Sequence, residues 1–440
     1  MSTNHIVNDI TIIFNHWKKE QAMIKLTKSK IKKLKKYTNM KKILLIAPSC
    51  YPVYDAESIV NIKMLKALNL KEDFEIDLVS KINKHENYPS NSLEELGVRV
   101  NSCHLVEVDN KINLTTIVQH ILCYFKFGVV FKGSHWAYKA LPVVKKLVNE
   151  NKYDYVLTKS GASPLLGYYL KKHLGLKWLF TCNDPYPNFT YPKIYADFYH
   201  AKSDYFSRKV LRLLKRYADV FIFPSSRLMD HMKSYIGFED NKCVVIPHAV
   251  NKSNVIVEEN KDNNVLNIIH SGNLCYPRDP EIFLCGLKKF INENNNPNIK
   301  FTILGVADNS LKELISQFGL KDYVTFLKSV EYKKSLELLS SFDVALIIEA
   351  KCPIGIFLPT KVTDFMQCGK PIFAVSPKEG VLNDLYKNSN IPYFADNESP
   401  DAVAKTLQVI YQDFMNGQIK KNVIPSEYLE KSIADTYYNL

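Results

Sequence analysis

The feature that most constrains the fold is an alternation of short apolar runs with helix-like segments, which occurs twice along the chain. The first series starts with the apolar run after Met40 and continues to about residue 250, and the second starts at Val265 and continues to about residue 425. Strands that alternate with helices form parallel sheets covered on both faces, and such buried strands are apolar throughout. The pattern predicts an α/β fold with two doubly wound, Rossmann-like domains that face each other across a cleft.

The two series are separated by residues 251–264, a polar segment in which asparagine is frequent. This composition favours a linker over a buried element. We therefore predict a basic N-terminal extension (1–39), a first domain (40–250), a linker (251–264), a second domain (265–425) and a C-terminal helix (426–440). A chain of 440 residues has the length of two ordinary domains.

Apolar runs and turn signals also predict individual elements. In the first domain, the predicted strands are 40–48, 75–79, 98–105, 155–158, 178–182, 220–223 and 243–246, with helices at 58–68, 165–173 and 204–217. In the second, the predicted strands are 265–270, 300–304, 323–327, 344–348 and 371–375, with helices around 280–290, from 310, around 335–341 and at 360–368.

Charge and glycine content exclude several functional classes. The net charge is +13, but residues 1–42 hold eleven lysines against Asp9 and Glu20, so the remaining chain is nearly neutral. A nucleic-acid-binding protein needs cations spread over a folded face, and we predict no nucleic-acid partner. With only 15 glycines, the chain contains neither the Gly-x-Gly-x-x-Gly dinucleotide motif nor a P-loop.

Cysteine and histidine patterns predict neither disulfides nor a metal site. The nine cysteines include no Cys-x-x-Cys, and the eleven histidines show no metal-ligand spacing. We interpret the alternating segment Asp73–Asp77 as the solvent-facing side of a strand rather than a metal-binding pair. Free thiols and the lack of a signal-peptide pattern at the start favour the cytoplasm. No metal or other cofactor is expected.

The N-terminal extension has two open interpretations. In residues 18–36, Ile24, Ile31 and Leu34 place a narrow apolar stripe on a lysine-rich helical pattern, which suits peripheral contact with the inner face of an anionic cell membrane. The alternatives are a solvated basic tail or a start codon upstream of a true start at Met40.

Ligands of open α/β sheets bind beyond the carboxyl ends of the strands, so the loops at those ends are candidate sites. After the first strand of the second domain, Gly272 lets the backbone approach a ligand and Arg278 stands at a helix entry where phosphate is bound. The alternative is a tight turn with a surface arginine. Further on, Thr360 and Lys361 begin a helix after Pro359. A helix start attracts anions, although a well-capped amphipathic helix would look the same.

Other junctions predict residues for a sugar and its acceptor. Asp364 lies one turn after Thr360, where its carboxylate could accept hydrogen bonds from ribose hydroxyls. Asp184 is held at a strand tip by Pro185, with an Asx turn as the alternative. The first loop of the first domain, which contains Tyr51, faces the same cleft if the domains lie face to face.

The chain resembles the GT-B-fold glycosyltransferases, in particular the retaining family 4 group, over residues 41–440. The resemblance rests on many weak motifs in order: Ile-Leu-Leu-Ile-Ala-Pro from 43, Thr-Cys-Asn-Asp-Pro from 181, Val-Ile-Pro-His from 245, Ser-Gly-Asn-Leu from 271, and Leu-Pro-Thr-Lys with Asp-Phe-Met-Gln-Cys-Gly-Lys-Pro from 358 to 371. The last two resemble capsule and lipopolysaccharide enzymes.

The resemblance implies transfer of a sugar from a nucleotide-sugar donor to a glycan or lipid-linked acceptor in surface polysaccharide synthesis, with retention and without metal. It also implies that the C-terminal helix from Glu427 crosses back onto the first domain. Arg278 and Lys361 would stabilise the leaving diphosphate, with Asp184 as a third catalytic residue. The donor would contact a larger set: Gly272, Asn273, Arg278, Thr360, Lys361 and Asp364. Asp184, His248 and Tyr51 would form the acceptor side.

One departure from the family pattern leaves other functions open. The family carries an acid eight residues before the position of Asp364, and this chain has Ile356 there. The loss motivates an alternative, a non-catalytic GT-B subunit that binds a partner or a glycan. A sugar-nucleotide epimerase of the same fold is the other alternative.

Overall fold

The computed structural model describes residues 40–251, 264–307 and 309–440. The N-terminal extension with residues 18–36, and most of the 251–264 linker, lie outside the described residues. The predicted fold class is confirmed: the described chain forms two all-parallel sheets, with seven strands in the first domain and six in the second.

The first domain has the strand order β3-β2-β1-β4-β5-β6-β7. Its strands are β1 Lys41–Ile46, β2 Phe74–Asn83, β3 Ser102–Val108, β4 Tyr155–Lys159, β5 Trp178–Thr181, β6 Val220–Phe223 and β7 Cys243–Val245. Its helices are α1 Ala56–Asn69, α2 Leu114–Phe127, α3 His135–Glu150, α4 Ser163–Leu174, α5 Lys193–Phe198, α6 Tyr205–Tyr217 and α7 Ser226–Ile236.

The second domain has the strand order β10-β9-β8-β11-β12-β13. Its strands are β8 Leu266–Ser271, β9 Ile299–Leu304, β10 Val324–Leu327, β11 Val344–Ile348, β12 Ile372–Ser376 and β13 Tyr393–Asp396. Its helices are α8 Glu281–Glu293, α9 Asn309–Gln317, α10 Tyr332–Ser340, α11 Thr360–Gln367, α12 Val381–Lys387 and α13 Pro400–Met415, followed by α14 Glu430–Asn439.

Helix α14 packs on the first domain although it follows the second in sequence. Ile433, Ala434 and Tyr437 are buried in the core beneath the first sheet, and the hydroxyl of Tyr155 donates to the Tyr437 carbonyl at 3.0 Å. The crossing runs beside the end of the first domain, where the Val250 amide donates to the Tyr428 carbonyl at 2.9 Å. The chain therefore passes between the domains at two adjacent places.

Two sequence interpretations are corrected in the first domain. The strand predicted at 98–105 is Ser102–Val108. The prediction that Asp73–Asp77 is the solvent-facing side of a strand is wrong for Asp77, which is buried and accepts hydrogen bonds from the hydroxyls of Ser102 and Tyr153. These partners lower the pKa of Asp77 despite its burial. Because they satisfy the carboxylate, a charged residue can occupy a strand position that otherwise takes apolar side chains.

Each sheet has one point where the connections switch direction, between β1 and β4 in the first and between β8 and β11 in the second. Loops that follow these strands diverge and leave a crevice at the carboxyl ends. Residues after β1 and β5 line this crevice together with those after β8 and β11. Within the described residues, no helix combines the length and apolar character needed to cross a membrane.

Candidate active site

Lys361 and Gly272 meet at the carboxyl end of the second sheet. Gly272 follows β8 with φ +116°, and a Cβ placed on it would lie 2.0 Å from the amine of Lys361 in the first turn of α11. A side chain here would push the end of the lysine aside and is also disfavoured by the positive φ, so glycine lets the backbone pass directly against the amine. Burial and the neighbouring Arg278 lower the pKa of Lys361 to about 7. The start of α11 therefore holds an amine that burial deprives of part of its hydration and that a bound anion would stabilise.

This amine lines a cavity of about 470 Å³ between the two domains. The second domain contributes the predicted donor residues Gly272, Asn273, Arg278, Thr360 and Lys361. The first domain contributes Glu57, Asn183, Asp184, Tyr191 and His248, among others. The structure thus brings five of the six predicted donor residues into one cavity, with Asp184 and His248 opposite them. Cationic groups and a helix start converge on the second-domain wall, which is the arrangement that binds phosphate.

Two uncharged imidazoles line the cavity, His270 from the second domain and His248 from the first. His270, the next-to-last residue of β8, is buried, and burial together with Lys361 and Arg278 holds its pKa well below the usual range. His248 is also buried, and burial with Lys159 and Lys63 lowers its pKa to about 3. Both rings are therefore neutral at physiological pH. Each neutral ring can donate a hydrogen bond through one nitrogen and accept one through the other without adding charge to the cavity.

Three carboxylates also line the cavity, Glu349 from the second domain and Asp184 and Glu57 from the first. Glu349 follows β11 and is buried, and it accepts a hydrogen bond from the hydroxyl of Ser376. Burial raises its pKa to about 7, against the pull of Arg278. Asp184 is exposed to the open cleft, but desolvation by the surrounding cleft walls and the neighbouring Glu57 likewise raise its pKa to about 7. Glu57 accepts from the side-chain amide of Asn183 at 2.9 and 3.0 Å, and its pKa is also raised by burial.

A second cavity of about 600 Å³ adjoins the first on the side of the first domain. The two share Glu57, Asn183, Asp184, Tyr191 and Tyr199, so Asp184 stands where one opens into the other. The far wall is formed by residues that follow α2 or precede α6, including Phe131, Lys132, His200 and Lys202. The arrangement provides one compartment with cationic walls and a neighbouring compartment for a second molecule.

Two predicted site residues lie outside both cavities. Tyr51 donates its hydroxyl to the Asn91 carbonyl at 3.1 Å and lines neither cavity. The carboxylate of Asp364 points to the domain interface, where Oδ1 accepts from the amine of Lys63 at 2.5 Å and the hydroxyl of Tyr332 at 2.6 Å. Both contacts use one oxygen, which leaves Oδ2 as an acceptor on the same carboxylate.

The sequence analysis missed Glu57, Glu349 and His270. Glu349 had a usable signal, because it directly follows the buried strand Val344–Ile348 and so stands at a carboxyl end. His270 had a similar signal, because it is the next-to-last residue of β8 and so also stands near a carboxyl end. Glu57 directly follows the first loop of the first domain, which was expected to face the cleft, but as a first-turn residue of an ordinary capped helix it gave no signal of its own. Within the described residues, no group of three or more His, Cys, Asp or Glu side chains is arranged to hold a metal ion.

Comparison with family models identifies both halves of the chain. Residues 92–254 match the model of Glycosyltransferase Family 4, and residues 251–424 match that of Glycosyl transferases group 1. No curated protein matches the sequence.

Solved structures with the same architecture cover nearly the whole chain. HepE of Anabaena, in complex with UDP and glucose, has 15% identity and a TM-score of 0.54 over 90% of this chain and 95% of its own. Sucrose-phosphate synthase from Thermosynechococcus elongatus has 14% identity and a TM-score of 0.57 over 90% of this chain and 95% of its own. The lipopolysaccharide outer core galactosyltransferase WaaB, in its apo form, has 13% identity and a TM-score of 0.57 over 90% of this chain and 98% of its own. At such identities the likeness shows a shared fold.

The two family models join within the segment that links the two sheets and together extend from residue 92 to residue 424. The sheets they cover face each other across a cleft lined from both sides. The resemblance found in the sequence is thereby confirmed at this level, and the chain belongs to the GT-B-fold glycosyltransferases.

Proposed function

We propose that this protein is a hexosyltransferase that moves a sugar, with retention, from a nucleoside-diphosphate sugar to a glycan or lipid-linked acceptor. The observation that supports this most is the partly dehydrated amine of Lys361, pressed against Gly272 and beside Arg278 at a helix start. A pyrophosphate satisfies all three features at once. HepE and WaaB support the choice, the first by its bound UDP and glucose and the second by its role in lipopolysaccharide.

The chain's own residues would carry the chemistry. Arg278, Lys361 and the amides at Thr360 would stabilise negative charge that develops on the leaving diphosphate, with Gly272 and Asn273 against the phosphates. Two fixed cations can do this without a metal ion. Asp364 lines neither cavity and its Oδ1 is held by Lys63 and Tyr332, so we assign it no contact with the donor and leave its role to the domain interface.

The acceptor would enter through the second cavity and meet the donor at Asp184. Its raised pKa places Asp184 near the protonation midpoint at neutral pH, which suits a group that receives a proton from an acceptor hydroxyl. His248 would line this side. The joined cavities would let acceptor and donor meet at Asp184, and the proposal of retention follows from the family resemblance.

We place the reaction at the cytoplasmic side of a cell membrane, in the synthesis of a surface polysaccharide such as capsule or lipopolysaccharide. The basic residues 18–36 would contribute peripheral contact there. Ile356, where the family has an acid, is buried and accepts a hydrogen bond from the Ser225 hydroxyl at 3.1 Å through its carbonyl. Glu349 nevertheless supplies a carboxylate to the cavity, which favours an enzyme over a non-catalytic subunit.

Calorimetric titration with UDP, GDP, ADP and CMP tests the donor site. We expect one diphosphate to bind, and Lys361→Met and Arg278→Ala each to weaken it by at least about tenfold, as the loss of a charge-assisted hydrogen bond predicts. Lys351→Met is the control, because Lys351 pairs with Asp279 at 3.0 Å and does not line the cavity. Binding that is unchanged in both site variants would contradict the assignment.

The pH dependence of the same titration gives a second measure. The free amine of Lys361 has a pKa of about 7, and a bound diphosphate favours the protonated form and raises that pKa. Affinity should therefore be full below pH 7 and decline as the pH rises above it. The decline should be shallower in Lys361→Met, where only Glu349 and Asp184, whose pKa values are also about 7, still add negative charge as the pH rises. Turnover of the matching nucleotide sugar then separates an enzyme from a binding subunit.

A further inference from the structure

The exposed side of helix α2 is strongly apolar. Eight large apolar side chains within residues 112–125 are exposed, and Ile112, Leu114 and Phe125 are 91%, 77% and 78% accessible. The other five are Ile117, Val118, Ile121, Leu122 and Tyr124. Soluble monomers rarely leave an apolar patch of this continuity in water, so the surface calls for a partner.

The helix is firmly built, so this exposure follows from how the helix is oriented on the domain. Asn113 and Thr116 form a capping box at its start, and Gly128 ends it in the left-handed conformation. The opposite face, with Thr116, Cys123 and Phe127, is buried. The Cys123 thiol contacts the Ser134 carbonyl at 3.3 Å, just before α3. Since the core is already satisfied by one face of α2, the other face remains available.

Helix α6 lies beside α2 and is strongly cationic. The ring of Phe206 meets that of Tyr124 edge to face with centroids 6.0 Å apart, and the amine of Lys209 lies against Gly128. Helix α6 carries five cations, Arg208, Lys209, Arg212, Lys215 and Arg216, and no acid. Helix α2 has no acid either. An apolar strip therefore borders a row of positive charge.

We propose that α2 and α6 form a face that docks on the surface of an anionic lipid bilayer. The apolar side chains of α2 enter the boundary between headgroups and acyl chains, and the cations of α6 bind the lipid phosphates. With 14 residues, α2 is too short to span a bilayer and suits a position in its surface.

Charge selects the bilayer over other occupants of this face. A second copy of the chain would bring its own five cations against these five. Residues 18–36 of the same chain hold nine lysines against Glu20, so this stretch too is repelled. Cover by the lysine-free residues 1–17 would show itself in the test below as stronger vesicle binding when residues 1–39 are removed. An anionic membrane supplies both the apolar phase and the opposite charge.

The docking face adjoins the second cavity. Phe131 and Lys132, just beyond α2, and Lys202, just before α6, form part of its wall. A lipid-linked acceptor could therefore reach Asp184 without leaving the bilayer, a consequence that rests on the proposed function. Docking itself does not depend on catalysis, and its test uses lipid alone.

Flotation of the full-length protein with phosphatidylglycerol–phosphatidylcholine vesicles tests the proposal. We expect binding to these vesicles and little to phosphatidylcholine alone. The double variant Ile121→Asp/Phe125→Asp should reduce the fraction of protein bound to vesicles at least about tenfold, because two apolar side chains that would enter the bilayer are lost. Arg212→Glu/Arg216→Glu should reduce it comparably and remove its salt sensitivity. Val409→Asp/Met415→Asp, at exposed apolar positions of α13, should leave binding unchanged.

An insertion measurement covers the case in which a charged variant misfolds. Phe125→Trp is a mild change, and its added fluorescence should shift to shorter wavelength and be quenched by brominated phosphatidylglycerol, whereas that of Met415→Trp should not. Wild-type binding retained by folded α2 variants, or quenching of Phe125→Trp no greater than that of Met415→Trp, would overturn the proposal. So would a concentration-dependent dimer that Phe125→Trp or Phe125→Asp dissociates. UDP binding is measured separately, so the two proposals fail independently.

Discussion

Gly272 is the residue on which the geometry of the donor side depends. We expect Gly272→Ala to lower the free energy of unfolding by about 1–3 kcal/mol, because its φ of +116° disfavours a side chain. The new Cβ also displaces the amine of Lys361, so binding of the matching nucleoside diphosphate should weaken at least about tenfold. Chemical denaturation and calorimetric titration measure the two effects.

Gly319→Ala is the matched control. Gly319 has φ +68° with no atom within 4 Å of its ideal Cβ position, so only the backbone penalty of about 1 kcal/mol should appear. Nucleotide binding should be untouched. If both alanine variants bind nucleotide equally well, Gly272 has no special relation to Lys361.

Some residues of the site could be predicted from their own sequence segment, whereas others are placed by contacts with distant parts of the chain. Gly272, Arg278 and Lys361 were predictable, because each stands next to a strand end or helix start in its own segment. Glu57 was not, since its place in the site depends on the contact with Asn183, which is 126 residues away in the sequence. The direction of Asp364 toward Lys63 could not be predicted either, because Lys63 is 301 residues away and on another domain.

Close contact of α8 and α13 sets the packing on one face of the second sheet. An ideal Cβ on Gly286 would lie 2.5 Å from Val403 Cβ and 2.8 Å from the Pro400 carbonyl oxygen. Alanine stabilises most helix interiors, but here we expect Gly286→Ala to destabilise by about 1–3 kcal/mol through overpacking. Gly286→Ala/Val403→Ala should recover part of the loss. A more stable single variant in thermal unfolding would contradict this packing.

Most elements were predictable, and the exceptions have physical causes. Twelve strands were predicted close to their observed bounds apart from the shift at β3, because buried parallel strands are continuous apolar runs. Helix α2 was not predicted, since its exposed face is apolar and hides the usual polar–apolar period. Helix α3 contains Pro142, which sequence rules place at a helix end. Strand β13 has only four residues and follows Pro392.

Among the residues that the structure describes, two ion pairs join the domains, and they differ in burial. Lys63 and Asp364 have side chains 5% and 13% exposed, whereas those of Arg227 and Asp384 are 31% and 35% exposed. We expect Lys63→Met to lower the free energy of unfolding by about 3 kcal/mol, since it leaves a buried carboxylate without its cation. Arg227→Met should cost about 1 kcal/mol or less.

A double-mutant cycle checks the interpretation. Lys63→Met/Asp364→Asn should be more stable than the sum of the single changes predicts, because the second substitution removes the unpaired charge. Additive single effects would show that Lys63 acts through its other contact, the Thr363 hydroxyl at 3.1 Å. Urea denaturation at neutral pH provides the measurement.

The paired crossings at Val250 and Tyr428 restrict how the two halves can part. Because both polypeptide connections pass through one edge, the halves can swing about that edge, but a twist across it would break the pairing between the connections. Exchange of a half between two molecules would require both connections to release together. The paired connections thus disfavour domain-swapped assemblies. After each opening, the same two domain surfaces would meet again.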